Sequence, residues 1–391
     1  MRSSNRLTVS LCGWSGHFRT FAGRCFGLLP RMLSVLAILL LPFSWLYAAV
    51  MTMRNWLYDI GWKRSEVFAV PLLNVGNLRV GGTGKTPHVM WLVEELLRQG
   101  HRPAILSRGY GRRTKGPRLA GPTDSAATVG DEPWQYMEAF AAQGVPVPVA
   151  VAEERRLGAH LLLRYHPEIT VIVLDDAYQH RAVRSTLNVL LTEFARPFYD
   201  DEVLPAGRLR ESRGGASRAD LIIFTKCPID LSLAAQQAAV QRVRRYCQPV
   251  IPVIFSAYDY GQPTAVMPET LPLALPAAGS GPVPALLLTG IAQPGPLREH
   301  LEHRGYAIQY QATFPDHYAF QPADLVAVRA HWRAGWPIFT TEKDATRLLA
   351  PELRAALTGL PLYTIPVRVA FLGDGAARLC HLLPEAFASK P

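Results

Sequence analysis

Cysteine is scarce and scattered in this chain: Cys12, Cys25, Cys227, Cys247 and Cys380 are the five among 391 residues, and none stands in a C-x-x-C or histidine-paired spacing. That excludes a zinc ribbon or a disulfide scaffold and fits a reducing compartment. Low-complexity tracts and internal repeats are missing as well, which excludes solenoids and arrays. Negative charge is missing from one whole stretch. Residues 1–58 hold Arg2, Arg6, Arg19, Arg24, Arg31 and Arg54 but no acid, and Asp59 is the first carboxylate. More than half of the formal +10 excess therefore lies in the N-terminal seventh. Such an excess suits nucleic acid, anionic lipid or a phosphorylated substrate. No basic motif interleaved with aromatics follows it, so nucleic acid is not an expected partner and lipid is favoured.

The remaining composition is globular, 49% hydrophobic and 18% charged, and the length allows two domains with separate cores. Leu33–Val50 (LSVLAILLLPFSWLYAAV) carries no charge over its eighteen residues, near the lower limit for spanning a bilayer. Pro42 would kink a helix there, and Trp45 and Tyr47 favour the headgroup level. A helix lying in the membrane face, a single span and a buried core helix all remain open. A cleaved signal peptide is disfavoured: the run Gly81-Gly82-Thr83-Gly84-Lys85-Thr86 further along reads as a nucleotide site, which export would part from its nucleotide.

Apolar strand candidates recur at Val67–Val75, Pro103–Ser107, Thr170–Asp175, Leu187–Thr192, Leu221–Thr225 and Val250–Phe255. Helical patterns lie between several of them, among them Pro87–Arg98 with an apolar face. This alternation predicts a doubly wound, parallel α/β sheet, and the glycine-rich run Gly81–Thr86 after its first strand makes it P-loop NTPase-like. Residues 259–284 are rich in Pro, Gly and Ala and read as a linker. Ala285–Gly290, Ala307–Gln311, Pro337–Thr341 and Leu362–Val367 suggest a second, smaller α/β domain. The expected division is an N-terminal extension with a membrane-associated helix (1–58), a P-loop domain (59–258), the linker (259–284) and a C-terminal domain (285–391).

The chemistry begins at Arg79-Val80-Gly81-Gly82-Thr83-Gly84-Lys85-Thr86, between the first strand and its helix. Glycines there let successive backbone N–H groups face a phosphate chain, and the helix N-terminus adds its positive end. Lys85 would reach the β- and γ-phosphates of ATP, and the Thr86 hydroxyl would hold Mg²⁺. The strict pattern wants glycine where Arg79 stands. An apolar strand ending in Asp175-Asp176 reads as the acid that organises the metal, brought beside the loop at the carboxyl ends of a parallel sheet. Gln179 and His180 follow within reach.

Other residues are less decided by spacing. Asp131, in Gly130-Asp-Glu-Pro133, suits a helix N-cap as well as a catalytic carboxylate. His317, in Phe314-Pro-Asp-His317, could be an ordinary loop histidine. Arg108, Arg112, Arg113, Lys115 and Arg118 form a basic loop that reads either as solvated surface or as a phosphate site.

Together these pieces resemble the tetraacyldisaccharide 4'-kinases, the lipid A 4'-kinases of Gram-negative bacteria. The likeness runs from about Leu41 to Gly373. Pro42–Tyr47, Val75–Pro87, Ser107–Tyr110, Gly130–Pro133 and Asp175–His180 carry its first part. Leu204–Glu211, Gly290–Ala292, Phe314–His317 and Thr341-Glu-Lys-Asp344 carry the rest. The resemblance implies two α/β/α domains around a cleft. It implies transfer of the ATP γ-phosphate to the 4'-hydroxyl of a tetraacylated disaccharide 1-phosphate, giving lipid IVA. The expected place is the cytoplasmic face of the inner membrane, with the hydrophobic segment as anchor and no obligate protein partner. Asp131 would be the general base, paired with His317; Lys85, Thr86, Asp175 and Asp176 would serve phosphate and Mg²⁺. Gln179, His180, Arg108, Arg155, Arg210 and Glu211 would support the site or the substrate. Three departures from the family stand out: Arg79 for a small residue, Ala177 for glycine, and Thr192-Glu193 for an aspartate. The competing reading is a membrane-recruited P-loop switch ATPase.

Overall fold

The computed structural model describes residues 16–267, 270, 273, 281–316 and 318–388, with side chains of 16–37 and 386 excepted. His317 and most of 268–280 fall outside the described residues. The strands are β1 (Leu72–Asn77), β2 (Pro103–Ser107), β3 (Arg118–Leu119), β4 (Val149–Val151), β5 (Val171–Asp175), β6 (Leu187–Glu193) and β7 (Leu221–Thr225). They continue with β8 (Val253–Tyr260), β9 (Thr264–Ala265), β10 (Val283–Thr289), β11 (Tyr306–Thr313), β12 (Ile338–Thr341), β13 (Leu362–Ile365) and β14 (Val367–Phe371).

Nine strands form one sheet, in the order β14-β8-β7-β6-β1-β5-β2-β4-β3. All residues of β1, β2, β5 and β7 are buried, as expected of parallel strands covered on both faces. One cover is the helix Lys85–Arg98, whose Val89, Met90, Leu92, Val93 and Leu96 enter the core at helical spacing. Each such side chain contributes roughly 1.5–3 kcal/mol on burial. The order matters for function. β1 lies between β5 and β6, with Val75 opposite Asp175, so the loop after β1 and the acids after β5 leave the same edge.

The second sheet has five strands, β11-β10-β12-β13-β9, with its own apolar clusters around Leu286, Leu288, Leu325 and Leu348 on one face and Leu287, Leu297 and Phe339 on the other. Sheet membership does not follow the expected division at residues 259–284 and 285–391. β8 extends to Tyr260, and β14 pairs antiparallel with it, Val367 opposite Tyr260 and Phe371 opposite Ser256. The helix Gly375–Ala388 then buries Leu379 and Leu383 in the first sheet's core. The tail of 285–391 therefore belongs to the first sheet. Only Pro366 separates β13 from β14, and an apolar run alone does not tell which sheet each half joins.

The long helix Gly16–Asp59 includes the uncharged segment. Its Ser44 accepts a hydrogen bond from the Ala206 amide (2.9 Å), and Asn55 donates to Glu211 (2.7 Å). The opposite face leaves Leu39, Phe43, Trp45, Leu46, Met53 and Trp56 exposed. Among the described residues no helix is long and apolar enough to cross a membrane.

Candidate active site

A cleft of about 740 Å³ opens at the carboxyl ends of β1, β2 and β5 and is closed on its far side by residues of the second sheet's unit. Its floor is the loop Val80–Thr86. Gly81 and Gly84 take φ values of +119° and +86°, which a side chain would strain. Arg79 needs no such conformation. Its backbone is extended against Leu209, and the Val80 amide donates to Arg208 O at 2.8 Å. The turn thus starts two residues later than the strict pattern, at Gly81. The Arg79 side chain leaves the phosphate side altogether and pairs with Asp201 (2.6 Å) and Glu193 (3.2 Å). Arg79 and Glu193 are thus partners of each other. Glu193 also holds Lys226, whose ammonium rests on the Gly82 carbonyl and reaches Gln293 at 3.2 Å.

The acids behind the loop differ in setting. Asp175 is buried; Ser107 donates to its Oδ2 at 2.9 Å, while Oδ1 has no hydrogen-bond partner among the described residues. Burial first, then the charges of Glu132 and Asp176, push its pKa up. Asp176 faces the cleft with φ +51°. Arg210 Nη1 touches both its oxygens at 2.8 Å, and Lys85 stands 3.8 Å away. Burial works against its charge, but Lys85 and Arg210 outweigh that and hold its pKa below the ordinary value.

The supporting residues sort into two groups. Arg108, Gln179, His180 and Arg210 line the cleft. Burial, then Arg155 and Arg108, lower the His180 pKa to about 4, so the ring is neutral at pH 7. Arg155 and Glu211 do not reach the cleft. Arg155 is buried and binds the carbonyls of Ala152, Asp175 and Asp176 at 2.7, 3.3 and 3.4 Å. It fixes the turn carrying the acid pair. Glu211 is a buried hub for Arg218 (2.8 Å), Gln179 (3.0 Å) and Asn55 (2.7 Å). The basic loop divides likewise: Arg112 is tied to Glu153 and Arg118 to Asp124, both at 2.6 Å.

Asp131 opens the helix Asp131–Ala142, but its N-cap is Gly130, with no side-chain cap bond. Its carboxylate instead meets Arg347 Nε at 2.8 Å. Arg347 comes from the second unit, on the helix Glu342–Leu348 that follows β12. Beside this pair, Lys343 stands 3.6 Å from Glu132 and 3.5 Å from Asp316, so Asp316 of the Phe314–His317 motif lines the cleft. Sequence reasoning missed Arg347 and Lys226. The first lies three residues beyond the quoted Thr341–Asp344 motif, and the second follows β7 at the same sheet edge as the loop. Tyr258, Tyr260, Ile291, Leu297, Ile365 and Val367 add apolar surface to the cleft's lining.

For Mg²⁺ the donors fit: the Thr86 hydroxyl lines the cleft and Asp175 offers an unpartnered buried oxygen. Magnesium takes few protein ligands beside phosphate and water, all of them oxygen.

A nucleotide-phosphate loop, an acid pair beside it and a carboxylate across the same cleft define a P-loop phosphotransferase. The family model described as Tetraacyldisaccharide-1-P 4'-kinase matches residues 36–386. The Tetraacyldisaccharide 4'-kinase of Bacteroides thetaiotaomicron is 41% identical over 340 residues, 83% of this chain and 87% of the relative. That of Cytophaga hutchinsonii is 39% identical over 341 residues, covering 87% and 93%. The crystal structure of "apo" form LpxK from Aquifex aeolicus in complex with ATP superimposes with a TM-score of 0.68 at 28% identity, over 90% of this chain and 99% of that one. The chain belongs to the tetraacyldisaccharide-1-P 4'-kinase family.

Proposed function

We propose that this protein transfers the γ-phosphate of ATP to the 4'-hydroxyl of tetraacyldisaccharide 1-phosphate, giving lipid IVA in lipid A biosynthesis. The observation that carries this reading is the cleft with the phosphate loop on one side and, on the other, Glu132 next to Asp131, whose own carboxylate meets Arg347 of the second unit. Lys85 and the loop amides hold the phosphates, and apolar lining residues such as Ile291 and Leu297 suit the adenine ring. Mg²⁺, held through Thr86 and Asp175, would neutralise charge on the phosphate oxygens. Asp176, fixed by Arg210, keeps Lys85 directed at the phosphates. Asp131 accepts the hydroxyl proton, with His317, the family's counterpart, as its partner. Arg108 and neutral His180 stand on the cleft wall where the sugar phosphate would approach.

The lipid acceptor fits the N-terminal helix. Tyr47 and Met51 line the cleft, while Phe43, Trp45 and Leu46 face outward. One helix thus borders the site and offers an apolar, tryptophan-bearing face to lipid. The reading places the enzyme at the cytoplasmic face of a Gram-negative inner membrane, with two lobes that meet over the acceptor.

The test is labelled γ-phosphate transfer from ATP to tetraacyldisaccharide 1-phosphate in detergent micelles with Mg²⁺. A labelled lipid is expected. ATP hydrolysis without one would favour the switch ATPase instead. Asp131→Ala should lower kcat by about 10²–10⁴-fold with ATP affinity nearly unchanged; equal loss of both would make Asp131 structural.

A further inference from the structure

We propose that Arg347 is a positioning residue through which the second unit orients the Asp131 carboxylate for the acceptor hydroxyl. This rests on Asp131 being the base. Asp131 stands at the first turn of its helix, one residue after the N-cap Gly130. A base must be held within hydrogen-bond reach of the proton it takes, and small displacements are costly in rate.

The guanidinium is built in from behind. Asp344, fully buried, accepts from the Gly290 amide (3.0 Å) and the Thr341 hydroxyl (2.7 Å) through one oxygen. Its other oxygen takes Arg347 Nη1 at 3.2 Å. The same Nη1 points at Gly290 O (3.4 Å) and Tyr318 O (3.3 Å). One edge of the fork is thereby fixed to the second unit. The other edge projects Nε onto Asp131 Oδ2 at 2.8 Å, and the pair is largely buried, at 8% and 16% side-chain exposure. Nη2 is buried without a hydrogen-bond partner among the described residues, so the edge facing Asp131 is not saturated. Lysine, a point charge, cannot reproduce such a two-edged hold. The base thus takes its orientation from the unit that closes the far side of the cleft.

The test uses the full chain in micelles. It measures kcat, both KM values and thermal unfolding for Arg347→Met, Arg347→Lys, Asp131→Asn and the double variant Asp131→Asn/Arg347→Met. Arg347→Met should lower kcat about 100-fold while both KM values stay within about threefold. Arg347→Lys should recover about tenfold of that. In the Asp131→Asn background, Arg347→Met should cost less than about threefold more, because the residue acts through Asp131. Rising KM with unchanged kcat, additive losses, or no recovery with lysine would overturn the proposal. Should Arg347→Met fail to fold, wild-type turnover in Arg347→Lys would overturn it as well. Full activity in Asp131→Asn sinks the base itself. An inactive Asp131→Asn beside a fully active Arg347→Met sinks only the positioning role.

Discussion

His88 supplies a pH test of how the phosphate loop is held. It lies in the first turns of the helix after the loop, buried, with Nδ1 2.7 Å from Gly84 O and Nε2 2.9 Å from Ser256 Oγ. A carbonyl only accepts, so Nδ1 carries the proton, and in the neutral ring Nε2 accepts from the serine hydroxyl, whose other acceptor within reach is Phe224 O at 3.3 Å. The ring is therefore satisfied when neutral. Burial lowers its pKa to about 4 against an ordinary 6.5, although the Gly84 carbonyl pulls the other way. Between those two values the unfolded chain binds the proton and the folded chain does not. Stability is then full above pH 6.5, falls as the pH drops, and levels off below 4. The whole span is about 3 kcal/mol, of which about 2 kcal/mol is lost between roughly pH 7.5 and 5. His180 shifts in the same direction, so the informative quantity is the difference between wild type and His88→Gln. Glutamine can donate to Gly84 O and accept from Ser256 without titrating. Urea unfolding followed by tryptophan fluorescence at the two pH values measures it; Trp91, on the same helix, packs on Phe371 at 4.7 Å. The variant should lose about 2 kcal/mol less on acidification. An equal loss in both proteins would refute the assignment.

Two further expectations concern the loop itself. Gly84→Ala combines a φ of +86° with a Cβ placed 2.7 Å from the Tyr258 hydroxyl. A strain of about 1–3 kcal/mol should weaken ATP binding about tenfold or more, read by titration calorimetry; undiminished affinity would mean the loop relaxes freely. Arg79→Ala removes a largely buried partner of Asp201 and Glu193, while Glu193 keeps Lys226. It should cost about 1–3 kcal/mol of stability and leave the ATP KM within about threefold, because the side chain faces away from the phosphates. A large rise in KM would refute that separation.

The parts of the site that sequence revealed are those set by local chemistry. Glycines, lysine and threonine at fixed spacing after a buried strand announce the phosphate loop, and an apolar run ending in Asp175-Asp176 announces its neighbour. Both lie where the parallel order puts them. Arg79 looked irregular because spacing does not reveal direction; its side chain and that of Glu193 meet on the other side of the strand. Asp131 was ambiguous for a similar reason. An acid before a helix can cap or catalyse, and its contact with Arg347, 216 positions along the chain, cannot be read from spacing. Lys226 and Arg347 carried no local signal, since each matters through a partner brought in by the tertiary fold. Arg155 and Glu211 were visible as motif residues, yet their burial shows that they fix the turn and the helix behind the cleft.

The return of β14 to β8 has consequences for dissection. β9 pairs with β13 just as β8 pairs with β14, with Gly261 N bonded to Pro366 O at 2.8 Å between them. The chain therefore leaves and re-enters the nine-stranded unit along one paired ribbon, and the five-stranded unit is an insertion rather than a tail. Ending the chain near residue 258 would remove the ribbon's second strand, bare the edge of β8 and strip Leu379 and Leu383 from the core. Excising the insertion and rejoining the ribbon with a short turn preserves that edge, and is the cut that isolates a nucleotide-binding unit.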